Sequence, residues 1–300
     1  MRVAIIGTGA MACLFGARLA PHSDVCLLGS WLQSMEAISK RGICIEADDI
    51  VDTVQVSVGE DPQQFAPASV ALLLVKSWQT ERAASLASLV LAPDGIVVTL
   101  QNGLGNLEIL EERVGVKRAV AGVTTQGAAL LSPGHVRYSG GGDTYLALRE
   151  CTDERLQGLA GLFETAGFPT ILTCELEPVL WGKLAVSSGI NALTALLDIT
   201  NGELLSRPDA RGLMIAAAEE TEAVAAALGI EIPFDVSEQV IMVAQATASN
   251  YSSMLQDMRR GELTEIESIN CAIVREAALH GVPAPVNYML CKLVRAARSQ

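Results

Sequence analysis

Two patterns of apolar positions divide the chain. In its first part, short unbroken apolar runs predict buried strands at 3–6, 25–28, 70–75, 96–100 and 119–125. Such runs are typical of parallel strands that helices cover on both faces. Residues 11–19 and 153–166 show helical periodicity, and 170–173 predict one more strand. The runs 135–138 and 145–148 predict a hairpin around three consecutive glycines, 140–142.

From Pro178 onward the chain reads as one helix after another, with almost no strand signal. This change of pattern predicts two domains, an α/β domain at 1–174 and an all-helical domain at 175–300. Apolar helical stretches such as 212–228 fit burial against a second copy in a homodimer, and they fit packing within one chain equally well.

A glycine-rich turn follows the first strand directly and leads into the first helix. Its G-x-G-x-x-A pattern comprises Gly7, Thr8, Gly9, Ala10, Met11 and Ala12. Gly7 permits a sharp turn, Gly9 lets a pyrophosphate approach the backbone, and Ala12 lets the helix lie close to the strand. The first N–H groups of the helix then face the phosphates. The pattern predicts a doubly wound dinucleotide-binding domain of the Rossmann type, with a purely structural turn as the alternative.

The end of the second strand bears on which dinucleotide is bound. An acidic residue there would bind the ribose 2′-hydroxyl of NAD, but the chain has Gly29 and Ser30. This favours NADP, with Ser30 as a phosphate contact and Lys40 or Arg41 as approaching cations. A solvated helix end is the alternative for that basic pair.

Other polar residues follow strands at the predicted ligand edge. Lys76 and Gln79 come after the strand 70–75, and Asn102 lies in the Q-N-G-L-G-N turn after the strand 96–100. Ligands of open parallel sheets bind at the carboxyl ends of the strands. Lys76 is therefore a candidate anion or cofactor contact, and Asn102 a candidate contact of nicotinamide or substrate. A surface lysine and a turn-forming asparagine are the alternatives.

The first helix of the second domain carries a polar stripe. Lys183, Ser187 and Asn191 recur at every fourth position and share one face of an otherwise apolar helix. Such a stripe indicates a solvated cleft, although an isolated lysine is commonly a surface residue. Further along, Thr264 and Glu267 predict a capping box, with Glu265 in the first helical turn. From this pattern alone, Glu265 is better explained as a helix N-terminal charge.

Composition excludes several classes of function. The 300 residues include 21 basic and 34 acidic side chains, and the formal net charge of −13 without a basic tract disfavours nucleic acid and anionic membranes as partners. The long apolar stretches are interrupted before they reach spanning length, and the chain opens on a strand rather than a signal peptide. We therefore expect a soluble, cytoplasmic protein.

Cysteine and histidine suggest no metal centre. The three histidines lie far apart, without the spacing of metal ligands. The seven cysteines are scattered and include no C-x-x-C pair, so we expect buried, reduced thiols.

Several stretches together resemble the ketopantoate reductase (2-dehydropantoate 2-reductase) family over nearly the whole chain. They read GTGAMACLFGARLA, LLLVKSWQT, QNGLGN, WGKLAVSSGINALTAL, NGEL, SSMLQDMRRGELTEIESIN and HGVPAPVN. The resemblance implies a Rossmann-type domain followed by a helical domain like the C-terminal domain of 6-phosphogluconate dehydrogenase, with the active site in the cleft between them.

The resemblance also implies roles for individual residues. Lys183 matches the catalytic lysine, and Glu265 a glutamate that acts with it and helps to place the substrate and cofactor. Ser253 matches a serine that binds the substrate carboxylate, and Asn191 a polar substrate contact. Asn102 and Lys76 match positions near the nicotinamide and the substrate.

The chain departs from the family pattern at three places. Ala12 replaces a more usual glycine, Ser187 stands where many members have asparagine on the lysine's helix, and Gly29-Ser30 lack the common arginine for the 2′-phosphate. Ser187 leaves the identity of the substrate open, and Gly29-Ser30 leave open how strongly NADPH is preferred.

The function implied is reduction of 2-dehydropantoate by NADPH to (R)-pantoate, a step of pantothenate and coenzyme A biosynthesis. One alternative is a related reductase of another 2-oxo or 3-hydroxy acid. The other is a regulator that binds NADP without catalysis, and the coexistence of Lys183, Asn191, Ser253 and Glu265 argues against it.

Overall fold

The computed structural model of the chain describes residues 1–47, 50–148 and 153–297. It divides into two compact units. The sheet unit comprises Met1–Gln101 and Asn106–Leu176, and the helical unit comprises Glu177–Gln300 together with the short segment Asn102–Gly105.

The sheet unit is built on parallel strands with helices on both faces. Its strands are β1 (Arg2–Ile6), β2 (Asp24–Leu28), β3 (Ile43–Ala47), β4 (Ile50–Val54), β5 (Ser57–Gly59), β6 (Ala68–Leu73), β7 (Leu91–Thr99), β8 (Ala119–Thr124), β9 (Ala128–Ser132), β10 (His135–Tyr138), β11 (Thr144–Ala147) and β12 (Thr170–Thr173). Its helices are α1 (Ala10–Leu19), α2 (Leu32–Arg41), α3 (Thr80–Val90), α4 (Asn106–Val114) and α5 (Glu154–Thr165).

The order of the main sheet places a ligand crevice beside β1. Eight strands follow one another as β12-β11-β8-β7-β6-β1-β2-β5, and all neighbours are parallel except β11 and β8. The chain builds outward from β1 to β2 and then crosses back to β6 on the other side of β1. In such sheets the crevice lies at the carboxyl ends of the two strands where the direction of winding reverses. Here those strands are β1 and β6.

Apolar side chains cover both faces of the main sheet. On one face, α1 packs over β1 and β2, and Phe15 stacks on Phe168 with ring centroids 4.3 Å apart while Phe163 meets both rings at an angle. On the other face, α3 and α4 bury Ala83, Ala87 and Leu110. The unbroken apolar runs of the sequence are therefore explained by burial on both sides.

The helical unit surrounds one long central helix. It contains α6 (Glu177–Leu197), α7 (Glu203–Ser206), α8 (Pro208–Ala227), α9 (Val236–Ala246), α10 (Ser253–Arg259), α11 (Asn270–His280) and α12 (Pro285–Ala297). The helices α8, α9, α10 and α12 all pack against α6. The predicted fold class, an α/β domain with a second all-helical part, is confirmed.

By length and composition alone, α6 could cross a membrane, so the prediction that no apolar stretch reaches spanning length was wrong for this helix. Most of its apolar window, 61%, is buried among the other helices of the unit. Leu184, Ile190 and Leu193 belong to this core. Burial of this kind is the expected reason for an apolar helix at the centre of a bundle.

The predicted hairpin around the three glycines is wrong. Strand β10 pairs with β9 and β3 in a second, four-stranded sheet of order β4-β3-β10-β9, whereas β11 pairs with β8 and β12 in the main sheet. The glycine stretch therefore connects two sheets instead of closing a hairpin. The turn that joins β9 to β10 contains Pro133 and Gly134, and it was not recognised in the sequence.

The predicted capping box is also wrong. Helix α11 begins only at Asn270, and residues 265–269 form turns without helical structure. The hydroxyl of Thr264 is buried and has no hydrogen-bond partner in the described chain, so it caps nothing. Glu265 is therefore not a charge at a helix N-terminus and requires another explanation.

Reduced thiols were predicted throughout, and this was wrong for two cysteines. Cys271 on α11 and Cys291 on α12 form a disulfide in the core of the helical unit. Cys13, Cys26 and Cys44 carry free thiols, and Cys174 is exposed rather than buried. Burial raises the pKa of both Cys13 and Cys26 to about 12, so these two thiols are unreactive at neutral pH. Cys151 lies outside the described residues.

Candidate functional site

The glycine-rich turn after β1 presents open backbone at the crevice beside β6. Gly7 has φ +134°, and a Cβ there would lie 2.8 Å from the carbonyl oxygen of Leu74, so only glycine fits. A Cβ on Gly9 would meet no atom within 4 Å. A hydrogen bond from α2 stabilises the turn, because Ser34 Oγ donates to the Thr8 carbonyl at 2.9 Å.

The start of α1 is suited to an anion. Gly9 is its N-cap and provides no side-chain hydrogen bond, and its first turn contains no acidic residue. The first N–H groups of the helix and the positive end of its dipole therefore remain available for a phosphate. Ala12, on the opposite side, is fully buried against the sheet. With the open space at Gly9, this arrangement fits the pyrophosphate of a dinucleotide.

The residues predicted for the 2′-phosphate are not brought together. Ser30 is exposed directly after β2, before α2 begins. Lys40 and Arg41 lie in the last turn of the ten-residue α2, about 15 Å along the helix from Ser30. Lys40 also pairs with Glu36 at 3.3 Å. The approach of Lys40 or Arg41 to a 2′-phosphate stays a prediction, and Ser30 stays the candidate contact.

A network in the sheet unit fixes both ends of the short segment Asn102–Gly105. The carboxamide of Gln101 donates to the Val75 carbonyl at 3.0 Å and to the hydroxyl of Thr80 at 2.9 Å. The same hydroxyl lies 2.8 Å from Oδ1 of Asn106. Thr80 thus joins the residues on either side of the segment. Lys76, a predicted contact, lies at the start of this region, after β6.

Within the helical unit, the segment Asn102–Gly105 contacts the turn 265–269 through the backbone. The amide of Leu104 donates to the Ser268 carbonyl at 2.9 Å. Gly103 has φ +82°, and a Cβ there would lie 2.2 Å from the same carbonyl oxygen. No side chain fits at this contact, and the glycine of the Q-N-G sequence is explained by this close approach.

Asn102 then bridges two charged groups of the helical unit. Nζ of Lys183 donates to Oδ1 of Asn102 at 2.8 Å, and Nδ2 of Asn102 donates to Oε2 of Glu265 at 3.2 Å. Glu265 is 5% exposed, and its carbonyl accepts from the amides of Ser268 and Ile269. We call these three side chains, Lys183, Asn102 and Glu265, the lysine triad.

The surroundings of Lys183 favour its release of a proton. Burial lowers the pKa of the Lys183 amine from 10.5 to about 8, and the charge of Glu265 acts in the opposite direction. At pH 7 the group is therefore about nine-tenths protonated, yet it gives up its proton far more readily than an exposed lysine. An amine of this kind is a suitable acid for a carbonyl oxygen near neutral pH.

The remaining predicted residues lie around α6. Lys183, Ser187 and Asn191 are all half-buried on a helix whose intervening positions are largely buried, so the predicted polar stripe exists. Ser253 is exposed at the first position of α10. Its neighbour Ser252 accepts a 2.7 Å hydrogen bond from Thr194 of α6. The start of α10 is thereby joined to α6 one turn beyond Asn191.

Sequence reasoning missed the residues that hold the triad in place. Ser268 contacts the Asn102 segment through its carbonyl, and Asn270 donates to the Ser188 carbonyl on α6. The stretch TEIESIN contains both residues, but its periodicity gave no indication that Ser268 lies in a turn and that the helix begins only at Asn270. Positions 102 and 265 are separated by 163 residues, so local patterns could not place them together.

The fold and the site together define a class of protein. A parallel sheet with an anion-binding turn at its switch point, joined to a helical unit with a lysine of lowered pKa, is typical of nicotinamide-dependent oxidoreductases. The chain belongs to the ketopantoate reductase family. The family model described as "Ketopantoate reductase PanE/ApbA" matches residues 3–150, and the model of its C-terminal part matches residues 175–298.

Individual relatives agree with this assignment. The chain is 38% identical to a 2-dehydropantoate 2-reductase of Halobacterium salinarum, over 99% of each chain. A crystal structure of a PanE/ApbA family ketopantoate reductase from Ralstonia eutropha is 32% identical and superposes with a TM-score of 0.91, covering 99% of this chain and 98% of that one.

A D-mandelate dehydrogenase shares the fold as well. Its structure with NADH and anilino(oxo)acetate is 26% identical, with a TM-score of 0.91, and covers 99% of this chain and 98% of that one. The same fold is therefore found in a ketopantoate reductase and in a D-mandelate dehydrogenase. The family is NAD(P)-dependent, and an NADH complex occurs among these neighbours.

Proposed function

We propose that the chain catalyses the NADPH-dependent reduction of 2-dehydropantoate to (R)-pantoate, which supplies pantothenate and coenzyme A biosynthesis. The observation that carries this proposal is the lysine triad, in which Asn102 holds the Lys183 amine and the Glu265 carboxylate at 2.8 and 3.2 Å. Membership of the ketopantoate reductase family supports the choice of substrate.

The residues proposed to hold the cofactor are those of the glycine-rich turn, 7–12, together with Ser30, Lys76, Asn102 and Glu265. Hydride transfer to the ketone carbon is the chemistry that NADPH supplies when bound. The turn itself binds the pyrophosphate, because Gly9 leaves space for it and the N–H groups of α1 are available.

Lys183 is the proposed acid. As the ketone becomes an alkoxide, negative charge develops on its oxygen, and the protonated amine stabilises that charge and donates the proton. Asn102 orients the amine through Oδ1. The nearby carboxylate of Glu265 keeps the amine protonated near neutral pH, because it opposes the effect of burial on the pKa of Lys183.

The other residues are proposed to bind the 2-oxo acid substrate. The hydroxyl of Ser253 is exposed and donates to the carboxylate, while Asn191 and Ser187 present polar groups on the same stripe of α6 as Lys183. Glu265 accepts from the substrate hydroxyl. A hydrogen bond to a charged group is worth roughly 1.5–3 kcal/mol.

Preference for NADPH is supported by the end of β2, where Gly29 and Ser30 occupy the positions of the acidic residue that binds the 2′-hydroxyl of NAD. Ser30 is the phosphate contact in this proposal, and the cations at the far end of α2 are not part of it.

A second candidate is a reductase of another 2-oxo acid, of the D-mandelate dehydrogenase kind. Two observations favour it: Ser187 on the polar stripe departs from the family pattern, and the D-mandelate dehydrogenase structure superposes over nearly the whole chain. This candidate shares the lysine triad, so the mechanism is the same and only the substrate differs.

A panel of substrates and cofactors separates the two candidates. We expect kcat/KM to be highest for 2-dehydropantoate with NADPH, above phenylglyoxylate with either NADPH or NADH, measured by loss of nicotinamide absorbance. A higher kcat/KM for phenylglyoxylate with NADH would assign the protein to the second candidate. Tight NADPH binding without turnover of either acid would favour a non-catalytic binding protein.

The rate of reduction should depend on pH through Lys183. The protonated amine is the active form, so kcat is expected to be nearly constant below about pH 7, to reach half its maximum near the lowered pKa of about 8, and to fall about tenfold per pH unit above it. Oxidation of pantoate requires the neutral amine and should rise through the same pH. A decline of reduction that begins only near pH 10.5 would show that the titrating lysine is not buried.

The open space at Gly9 leads to a separate prediction about the cofactor. Gly9 has φ −86°, which alanine adopts freely, so Gly9→Ala should leave the melting temperature unchanged. The added methyl group occupies the place of the pyrophosphate and should weaken NADPH binding at least about tenfold.

The matched control for Gly9→Ala is Gly161→Ala on α5. A Cβ on Gly161 also meets no atom within 4 Å, and this glycine lies outside the turn. Its NADPH affinity should equal that of the wild type. Equal affinity in the Gly9→Ala variant, measured by NADPH fluorescence, would place the pyrophosphate elsewhere.

A further inference from the structure

A buried network of amides connects the first turns of α11 and α12 with α6 and α8. Nδ2 of Asn270 donates to Oδ1 of Asn287 at 2.9 Å and to the Ser188 carbonyl at 3.0 Å. Nδ2 of Asn287 in turn donates to the Ala217 carbonyl and to the carboxylate of Glu220. Both asparagines are fully buried, so the hydrogen bonds from Asn270 to Asn287 and to Ser188 are made away from solvent.

Glu220 anchors this network from α8. Its two carboxylate oxygens accept from the backbone amides of Val286 and Asn287 at 2.8 and 2.9 Å, in the first turn of α12. A carboxylate at that position satisfies amides that have no partner within the helix and interacts favourably with its dipole. The orientation of Asn287 is therefore fixed, and Asn270 meets a rigid acceptor.

Asn270 also closes a ring that contains the lysine triad. From Lys183 on α6, hydrogen bonds lead through Asn102 to the Glu265 carboxylate. The backbone of the turn, where the Ile269 amide donates to the Glu265 carbonyl at 3.1 Å, continues to Asn270. Asn270 then returns to α6 at Ser188, five positions beyond Lys183.

We propose that Asn270 is a positioning residue for the reaction, which holds the turn carrying Glu265 at a fixed distance from the helix carrying Lys183. The inference rests on the proposed function of the triad. Asn270 touches neither Lys183 nor the Glu265 carboxylate, and it acts through the backbone that connects it to Glu265.

Loss of the Asn270 carboxamide should be unfavourable. The turn 265–269 is also held by its own backbone hydrogen bonds, by the Leu104 amide and by Arg275 and Arg295, which donate to Glu267, whereas Asn270 connects it to the Ser188 carbonyl of α6. Removal of the carboxamide leaves the buried Oδ1 of Asn287 without its donor, while the Ser188 carbonyl keeps only its hydrogen bond within α6. A buried polar group without a partner is unfavourable, so the turn should shift to relieve it.

A double-mutant cycle tests the proposal on the full-length protein. The variants are Asn270→Ala, Glu265→Gln and the combination of both, and kcat/KM is measured with the oxo acid that the wild type reduces best. If Asn270 acts through Glu265, Asn270→Ala lowers kcat/KM about tenfold in the wild type and less than about twofold in the Glu265→Gln background. NADPH affinity should change less than about twofold on Asn270→Ala, because Asn270 donates to Asn287 and Ser188 and lies outside the glycine-rich turn that binds the pyrophosphate in this proposal.

Asn201→Ala is the matched control. Asn201 is also a buried asparagine of the helical unit and donates to Thr247 at 2.9 Å, and its other hydrogen bonds in the described chain involve Asn250 and Leu204 instead of the turn 265–269. Its replacement should lower the melting temperature while kcat/KM changes less than about twofold in either background. Where Asn270→Ala does not fold, Asn270→Ser gives the same cycle with a smaller loss of hydrogen bonding.

Three results would overturn the proposal. The first is an equal loss of kcat/KM from the Asn270 substitution in the wild-type and the Glu265→Gln backgrounds. The second is a wild-type kcat/KM for Asn270→Ala alone. The third is a similar loss of kcat/KM in Asn201→Ala, which would indicate general destabilisation. Failure of the proposed function is a different result, because the wild type would then reduce no 2-dehydropantoate. The cycle can in that case be measured with the other oxo acid.

Discussion

Replacement of Lys183 by alanine is expected to lower kcat for reduction of the 2-oxo acid by about 10²- to 10⁴-fold, the usual contribution of general acid catalysis. The protonated amine is lost from the triad, so the developing charge on the substrate oxygen has neither a cation nor a proton donor beside it. NADPH binding should be unchanged, because the pyrophosphate turn lies in the sheet unit. The measurement is steady-state kinetics together with NADPH fluorescence.

The control for this substitution is Lys292→Ala. Lys292 is an exposed lysine of α12 whose ammonium lies 5.3 Å from the ring centroid of Tyr288. Its loss removes the same charge from the same unit but should leave kcat within about twofold of the wild type, as is usual for surface substitutions. A Lys183→Ala variant with wild-type kcat would remove Lys183 from the reaction.

Gly103→Ala is expected to be the most damaging change outside the triad. At φ +82° a side chain is strained by about 1–3 kcal/mol, and its Cβ would also lie 2.2 Å from the Ser268 carbonyl oxygen. The segment Asn102–Gly105 must then move away from the turn 265–269, which separates Asn102 from Glu265. We expect a kcat at least about 100-fold lower and a melting temperature several degrees lower.

Gly105→Ala distinguishes the effect of backbone strain from that of the collision with the Ser268 carbonyl. Gly105 lies in the same segment at φ +91°, but a Cβ there meets no atom within 4 Å. This variant experiences the backbone strain without the collision, so it should lose about 1–3 kcal/mol of unfolding free energy and retain kcat within about threefold. If both variants lost the same activity, contact with Ser268 would have no part in placing Asn102.

The main sheet could be predicted from sequence because its strands are buried on both faces. The runs at 3–6, 25–28 and 170–173 coincide with β1, β2 and β12 to within a residue. The second sheet was missed, since β4 has mainly exposed positions without an unbroken apolar run and β9 is only partly buried. The same reason explains the wrong hairpin: strand propensity near Gly140–Gly142 does not indicate which partner each strand takes.

The helices of the helical unit could be predicted from the sequence, but the contacts between its separate segments could not. Periodicity places Lys183, Ser187 and Asn191 on one face of α6, because that relation is local. The meeting of Asn102 with Glu265 and the disulfide between Cys271 and Cys291 depend on how separate segments pack. The pattern around Thr264 resembles a helix start, but the backbone there turns towards the segment Asn102–Gly105 instead.

The central claim is that this chain transfers hydride from NADPH to the ketone of 2-dehydropantoate, with Lys183 as the acid. The most direct measurement mixes the purified protein with both compounds and determines the NADPH consumed and the pantoate formed. One (R)-pantoate should form for each NADPH oxidised, and Lys183→Ala should form at least about 100-fold less product over the same time. Unchanged NADPH absorbance with bound cofactor, or equal product from Lys183→Ala, would contradict this claim.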